Sequence, residues 1–480
     1  MKANQEQRVR KDIRKALSYK KQVSAKESKR RGKALRELVP HACHEAWQVQ
    51  ERRNDAIDLL SKQDEGRAQE LVPIRKERMA ASPFAFFRGA AVIMANDLAR
   101  TPSTGIRVQA CGDAHVANFG LFHSPERKLI FDITDFDETE IAPWEWDVKR
   151  LGASLEICGR ERGFDSKVRR AIVKTAAEAY REAMREFARM GTLDVWYAHM
   201  DADELYERMA HKASKSERKE AEELLDKARS KNSARAIKKL TEVVDGELRI
   251  VNEPPLIVPL REIVRQYSGM DVPDPDMHER ERITARLLSH YRKNLPDDRR
   301  RLIGQYRGVD IARKVVGVGS VGLQAWIVVM EGAAEKDHLV LQIKEARDSV
   351  LAPFVGKNAG DTPGQRVVKG QKAMQIASDV LLGWTELPGK DGTPRSYYVR
   401  QLWDGKGSAD LDEIDEDALE ALAGACGWTL AHAHARTGDR FAIAGYLGKG
   451  DGFDRALVRF AQSYADQNER DYQAFLESLC

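Results

Sequence analysis

The sequence predicts an α+β fold of two lobes, a mainly helical large lobe and a small lobe built on an antiparallel sheet. Two observations predict it. Segments dominated by Val, Ile and Leu cluster late in the chain, at Lys314 to Val329, His338 to Ile343 and Arg395 to Leu402, while the apolar residues on either side recur at helical spacing. A glycine-rich run, Val316–Gly322, sits inside the first of these segments and is followed by the β-like Leu323–Val329 rather than by a helix.

Composition sets the outer limits. The chain has 480 residues, 42% hydrophobic and 32% charged, enough for a large buried core and a well-solvated surface. No apolar run approaches the roughly 18 residues of a membrane helix, so no membrane partner is expected. The basic N-terminus lacks the apolar stretch of a secretory signal. The five cysteines, Cys43, Cys111, Cys158, Cys426 and Cys480, form no CxxC pair and fit reduced thiols in a cytoplasmic protein. The net charge of +4 says little. Residues 1–36 concentrate Lys and Arg, including Lys29-Arg30-Arg31. That suits contact with nucleic acid or an acidic protein, and a solvated helical tail explains it as well. No aromatic residue except Tyr19 interleaves the charges, and no recognition motif follows.

In order, residues 1–39 read as a basic helical extension, 40–304 as a large helical lobe, 305–402 as the small lobe and 403–480 as helices completing the large one. Ser82-Pro83 is a helix start, with serine as cap and proline in the first turn, and the helix is expected to run to about Ala99. A strand over Ile106 to Ala110 leads into the loop Gly112–Gly120. A second, Lys128 to Ile133, ends in Thr134-Asp135-Phe136-Asp137. Pro143 opens a helix through Leu155. Residues 165–245 read as polar helix, with His211–Leu240 an exposed arm, and Asn252–Pro259 reads as a linker. Helices are expected at about 277–303, Thr362–Leu382 and 415–480, and a turn at Asp404–Ser408.

The chemistry centres on Asp113 and Asn118. Five positions apart in a glycine-opened loop, they can face one cleft, the Asp orienting a hydroxyl and accepting its proton, the Asn giving a neutral oxygen to magnesium. Magnesium takes few protein ligands, and return of the chain along Leu129–Ile133 would bring Asp135 in as the second. Gly317-Val318-Gly319-Ser320-Val321-Gly322 matches GxGxxG. A dinucleotide site needs a helix after the last glycine; a glycine loop joining two strands is instead the nucleotide lid of kinases, where backbone approaches phosphate because no Cβ intervenes. Lys344, at the end of an apolar strand downstream, is placed to hold the α and β phosphates. Arg400-Gln401-Leu402 falls where a hinge would meet adenine, giving Gln401 and Leu402 as contacts.

Gly112-Asp113-Ala114-His115-Val116-Ala117-Asn118 resembles the catalytic loop of the aminoglycoside-phosphotransferase and choline-kinase group. Ile133-Thr134-Asp135-Phe136-Asp137 is similar to that group's metal-binding segment, and Trp146-Asp147 resembles its later Asp, which braces the loop. The chain as a whole resembles a large bacterial family, domain of unknown function 2252, through Arg78-Met79, Ser82–Gly89, Gly112–Gly120, Phe131–Thr139, Pro143–Asp147, Val316–Gly322 and Arg400-Gln401-Leu402. The resemblance spans roughly residues 40–475.

It implies a protein-kinase-like fold and an ATP- and Mg2+-dependent phosphotransferase acting on an unidentified hydroxyl. Asp113 and Lys344 would be catalytic, Gly317–Gly322, Gln401 and Leu402 would hold ATP, Asn118 and Asp135 the metal, and His115, Asp137, Asp147 and Arg88 would support them. Two departures stand out. The catalytic motifs precede the glycine loop and lysine, the reverse of the kinase order, which circular permutation would explain, as would convergence on two short motifs. The helix after Lys344 offers Gln365, Gln371, Gln375 and Asp379 but no Glu to pair with the lysine. A nucleotide-binding regulator without phosphotransfer, a nucleotidyl (AMP) transferase and a nucleic-acid-associated scaffold are the alternatives.

Overall fold

A computed structural model describes residues 23–45, 47, 53–203, 206, 222, 223, 225, 226, 229, 233–268, 277–315, 317–356, 360–388, 392–402, 405 and 407–479. Among them the fold is mixed α+β. The strands are β1 (Arg107–Ala110), β2 (Phe119–His123), β3 (Leu129–Ile133), β4 (Glu140–Pro143), β5 (Thr241–Val244), β6 (Glu247–Ile250), β7 (Ile257–Pro259), β8 (Arg307–Lys314), β9 (Ala325–Glu331), β10 (His338–Ala346), β11 (Gly383–Pro388) and β12 (Pro394–Gln401). One six-stranded antiparallel sheet has the order β11-β12-β10-β9-β8-β7; β1 pairs with β4, β2 with β3 and β5 with β6.

Alternation along the strands makes the large sheet two-faced. Val328, Met330, Leu339, Leu341, Ile343, Tyr397 and Val399 point to one side, where Leu288 and Tyr291 of the helix Met277–Asn294, Leu295 just after it, and Ile303 of the helix Asp297–Ile303 cover them. Ile327, Val329 and Val340 point to the other, against Ala236 and Leu240 of the helix Ser233–Leu240 and against Ile250. The same alternation turns Gln342, Lys344, Tyr398 and Arg400 away from the first face; Gln342 stands opposite Arg400 and Lys344 opposite Tyr398. A bulge between Gly308 and Asp310 inserts Val309, which packs with Ala312. The larger core is helical. Helix Trp144–Glu161 lies between Ser166–Phe187 and Gly452–Glu477, and Glu416–Thr437 packs along Ser166–Phe187.

Several expected elements change. The helix from Phe84 to Ala99 is two, Pro83–Gly89 and Ala91–Leu98, because Arg75, itself buried, takes the Gly89 carbonyl at 2.8 Å. Pro143 ends β4 and at the same time caps the helix that follows, Trp144–Glu161, which runs past Leu155. The run to 245 is not all helix: Asp245 and Gly246 both have positive φ, 52° and 81°, and turn β5 onto β6, an Asp-Gly hairpin. The linker Asn252–Pro259 supplies edge strand β7, a place that tolerates proline. The first arm of the glycine hairpin is β8, upstream of Lys314. Its charged residues Arg307, Asp310, Arg313 and Lys314 disguise it; Asp310 is buried, accepting from Ile250 N at 2.8 Å and Arg261 at 3.1 Å. Thr362–Leu382 shortens to Pro363–Met374, and strand β11 follows. Most of the arm His211–Leu240 lies outside the described residues, as do Asp404 and Lys406 of the expected turn.

Residues 1–22 of the basic extension lie outside the described residues, but 25–38 form a docked helix rather than a solvated tail. Arg36 donates to the carbonyls of Tyr446 and Gly445, both at 2.6 Å. Gly32 and Gly445 let the helix approach Arg440–Leu447 closely: a Cβ on Gly32 would lie 1.9 Å from Ala442 O, and one on Gly445 2.3 Å from Lys29 O. No described helix is long and apolar enough to cross a membrane. Cys43, Cys111, Cys158 and Cys426 are free thiols.

Gly32→Val should lower unfolding free energy by at least about 2 kcal/mol, since backbone cannot yield as a side-chain tip does. Chemical denaturation measures it, and unchanged stability would refute the close helix contact.

Candidate active site

The loop after β1 is held by one face of the helix Trp144–Glu161. Asp147, Arg150 and Ser154 follow i, i+3, i+7 spacing and so share that face. Asp147 accepts from Cys111 N at 2.7 Å and Gly112 N at 2.9 Å. Arg150 donates Nε to Asp113 Oδ1 at 2.9 Å, and a second guanidinium nitrogen lies 2.8 Å from the same oxygen. Ser154 Oγ accepts from Val116 N at 3.0 Å. Asp147 is itself fixed by His434 Nε2 at 3.1 Å, whose Nδ1 meets the Tyr180 hydroxyl at 2.9 Å. His432, two residues away, bonds Val195 O instead, so the two histidines serve different elements. Gly112, at φ 83°, passes Glu138 O so closely that a Cβ would lie 2.1 Å from it.

Within the loop, Asn118 donates Nδ2 to Asp113 O at 2.8 Å, which leaves its amide oxygen for another partner. His115 Nε2 lies 3.7 Å from Asp113 Oδ2. Burial pushes His115 down to about 4, against the pull of the Asp113 carboxylate, so at neutral pH it is an uncharged imidazole. Asp147 is 1% exposed, Asp113 19%, Asp137 21% and Asp135 36%; the last three are the carboxylates a ligand can reach.

Strands β2 and β3 pair from Phe119 with Ile133 to His123 with Leu129, and Thr134 N returns to Asn118 O at 2.8 Å. The acid segment therefore lies beside the loop, and Cys111 Sγ sits 3.4 Å from Asp135 O. Lys344 comes in from β10, 207 residues away, forming an ion pair with Asp137 and lying 4.0 Å from Asp135. Burial opposes its charge, yet the Asp135 and Asp137 carboxylates outweigh burial and hold the ammonium above its ordinary range. Asp137 also accepts from the Tyr398 hydroxyl at 2.8 Å and from Ser320 Oγ at 3.2 Å. Ser320 belongs to the glycine loop, so that loop rests on the acid segment. Arg366, from the helix Pro363–Met374, donates to the carbonyls of Asp137 and Arg347, each at 2.7 Å, and clips the segment to the sheet.

The glycine loop joins antiparallel β8 and β9, with Gly317 and Gly322 at φ 66° and 88°. Its outer side is held by the preceding helical segment: Arg67 donates to Val321 O at 2.6 Å, Ala68 N to Gly322 O at 2.8 Å, and Arg78 to Gly317 O at 2.5 Å. Val318 packs beside Phe86 and Ile93. The structure thus brings Asp113, Asn118, Asp135, Asp137, Ser320 and Lys344 into one region.

Two expectations are corrected. Gln401 and Leu402 do not present free backbone donors to an adenine: Gln401 N donates to the Asp379 carboxylate, and Leu402 N to Val340 O at 2.8 Å. Asp379 is therefore spent on β12, while Gln371 donates to Gln375 at 2.9 Å and Gln375 to Ile133 O at 2.7 Å. The partner of Lys344 comes from the acid segment. Arg150, Tyr398 and Arg366 escape sequence reading; only the helical spacing from Asp147 to Arg150 and the alternation from Tyr398 to Arg400 signal two of them.

No cluster of three or more His, Cys, Asp or Glu that could hold a metal occurs among the described residues. The donors here are a different set, the Asn118 amide oxygen and the Asp135 carboxylate, hard oxygens that fit a magnesium ion keeping most of its shell as water and phosphate. In comparison with known proteins, the family model described as "Uncharacterized protein conserved in bacteria (DUF2252)" matches residues 67–478. No curated protein matches the chain, and no solved structure does.

Asp147→Ala leaves two buried backbone N–H groups and His434 without their acceptor and should cost about 2–5 kcal/mol, measured by denaturation; a cost under about 1 kcal/mol contradicts the brace. His115 is neutral in the fold over a range where the unfolded chain protonates it. Its contribution to stability is thus complete above about pH 6.5 and is lost as pH falls toward 4. An NMR titration of its ring should show a midpoint below 5, and a midpoint near 6.5 would contradict its burial.

Proposed function

Because the chain belongs to this bacterial family, whose description names no activity, we propose from the site itself that it is an ATP- and Mg2+-dependent phosphotransferase acting on a hydroxyl. One observation carries the reading. A loop with Asp113 and Asn118, an acid segment with Asp135 and Asp137, and a glycine hairpin with Lys344 come from distant parts of the sequence and meet in one place. A structural ion pair alone has no need of a glycine loop laid across it.

In this reading the six-stranded sheet and its hairpin are the small lobe of a protein-kinase-like fold with permuted motif order, and the helical body is the large lobe. Lys344 exchanges Asp137 for nucleotide phosphates. Asn118 and Asp135 would hold magnesium, which when bound neutralises phosphate charge. Asp113, with one oxygen fixed by Arg150, keeps Oδ2 to accept the hydroxyl proton. The hydroxyl oxygen bonds to the γ-phosphorus, the bond to the departing ADP oxygen breaks, and the proton passes to Asp113. Most of the acceleration is positioning and charge neutralisation.

A second reading, a nucleotide-binding regulator, is favoured by one feature: the helix Pro363–Met374 has no acid to draw Lys344 away from Asp137.

Incubation with γ-labelled ATP and magnesium should move label to an added acceptor or to the protein. Asp113→Ala should reduce this by about 100-fold or more, and Lys344→Met by a similar factor. Transfer from α-labelled ATP would point to nucleotidyl transfer. Nucleotide binding without transfer across a broad acceptor screen favours the regulator, and absence of any nucleotide binding sinks both.

A further inference from the structure

Arg88, in the last turn of Pro83–Gly89, is a half-buried cation. Its Nε is buried and has no hydrogen-bond partner among the described residues. It forms no ion pair there either; the Phe84 ring centroid lies 6.0 Å from the guanidinium carbon. Asp113, Asp412 and Glu161 favour its charge from a distance, while burial, the larger effect, lowers its pKa. Its neighbours are otherwise engaged: Arg150 holds Asp113, Glu161 accepts from Phe84 N at 3.1 Å, and Arg67, Arg75 and Arg78 all have carbonyl or carboxylate partners. The glycine loop passes close to its backbone, a Cβ on Gly319 falling 3.5 Å from Arg88 O. Arg88 therefore adjoins the loop read as the phosphate lid through its backbone and feels the charge of the carboxylate read as the hydroxyl acceptor.

A half-buried guanidinium whose Nε has no acceptor forgoes a charge-assisted hydrogen bond. Its planar array of donors matches an oxyanion. We infer that Arg88 anchors an oxyanion subsite beside Asp113, which takes a phosphate-type group carried either by the nucleotide or by the acceptor. The inference rests on the phosphotransferase reading for its placement, but not for its chemistry.

Thermal unfolding and ligand titration of the full chain test it, with wild type, Arg88→Met and Arg88→Lys, using inorganic phosphate, Mg-ADP and Mg-ATP as probes. Phosphate should raise the melting temperature of wild type and not that of Arg88→Met. If the nucleotide supplies the group, the preference for ATP over ADP falls about tenfold or more in Arg88→Met. If the acceptor supplies it, that preference is unchanged and phosphate still binds wild type saturated with Mg-ADP. Should Arg88→Met fail to fold, Arg88→Lys decides: losing the planar fork, it should bind phosphate about tenfold more weakly. Phosphate shifts that are equal in wild type and variants, or absent from all, overturn the inference. Phosphate bound through Arg88 with no nucleotide binding sinks the phosphotransferase and leaves the subsite; nucleotide binding indifferent to Arg88, with no phosphate effect, does the reverse.

Discussion

A buried ammonium needs an anion, and the fold around Lys344 is arranged to provide one. The lysine stands on a strand buried on both faces, where its charge cannot reach bulk water. Its partners Asp137 and Asp135 come from the loop after β3. Removing the acid while keeping the lysine would strand the charge, so the sheet and the helical body are tied at this point more strictly than apolar packing would require. Arg366 and Ser320 reinforce the tie by binding the same segment through its backbone and its carboxylate.

The helix Trp144–Glu161 does for the Asp113 loop what Lys344 does for the acid segment. Backbone N–H groups in a tight turn need acceptors, and Asp147 and Ser154 supply three bonds at fixed helical intervals. A loop held from one rigid face keeps its two chemical residues in a fixed relation, whatever ligand they meet. The glycine loop differs: its contacts to Arg67, Ala68 and Arg78 run mainly through its own carbonyls, leaving its inner side to face the acids.

The sequence made the short-range features readable. Gly112, Asp113 and Asn118 announce a loop, and the apolar run after Asn118 announces the hairpin that carries Asp135 back. The strand leading to Lys344 was legible from Leu339 to Ile343. What escaped was set by distant partners. β8 carries charges because Asp310 is neutralised by Arg261 and by the backbone of β6, and no local pattern reports that. β7 is hidden by Pro259 and by the prolines just before it, Pro254 and Pro255, and the break at Gly89 by Arg75, whose effect appears only once the helices pack. The kinase resemblance points to the following helix for the partner of Lys344, whereas the partner lies in a segment about two hundred positions earlier.

The double burial of β10 carries a last consequence. Leu341 and Ile343 belong to one core and Val340 to another, with Lys344 next in alternation. A shift by a single position would bring the ammonium into the apolar layer under Tyr291 and Leu295 and leave an isoleucine facing Asp137. The strand thus behaves like a reading frame: deleting one residue within it corrupts everything downstream, whereas extra residues in the exposed turn 332–337, before the frame begins, change only the length of a loop, and that cost grows slowly.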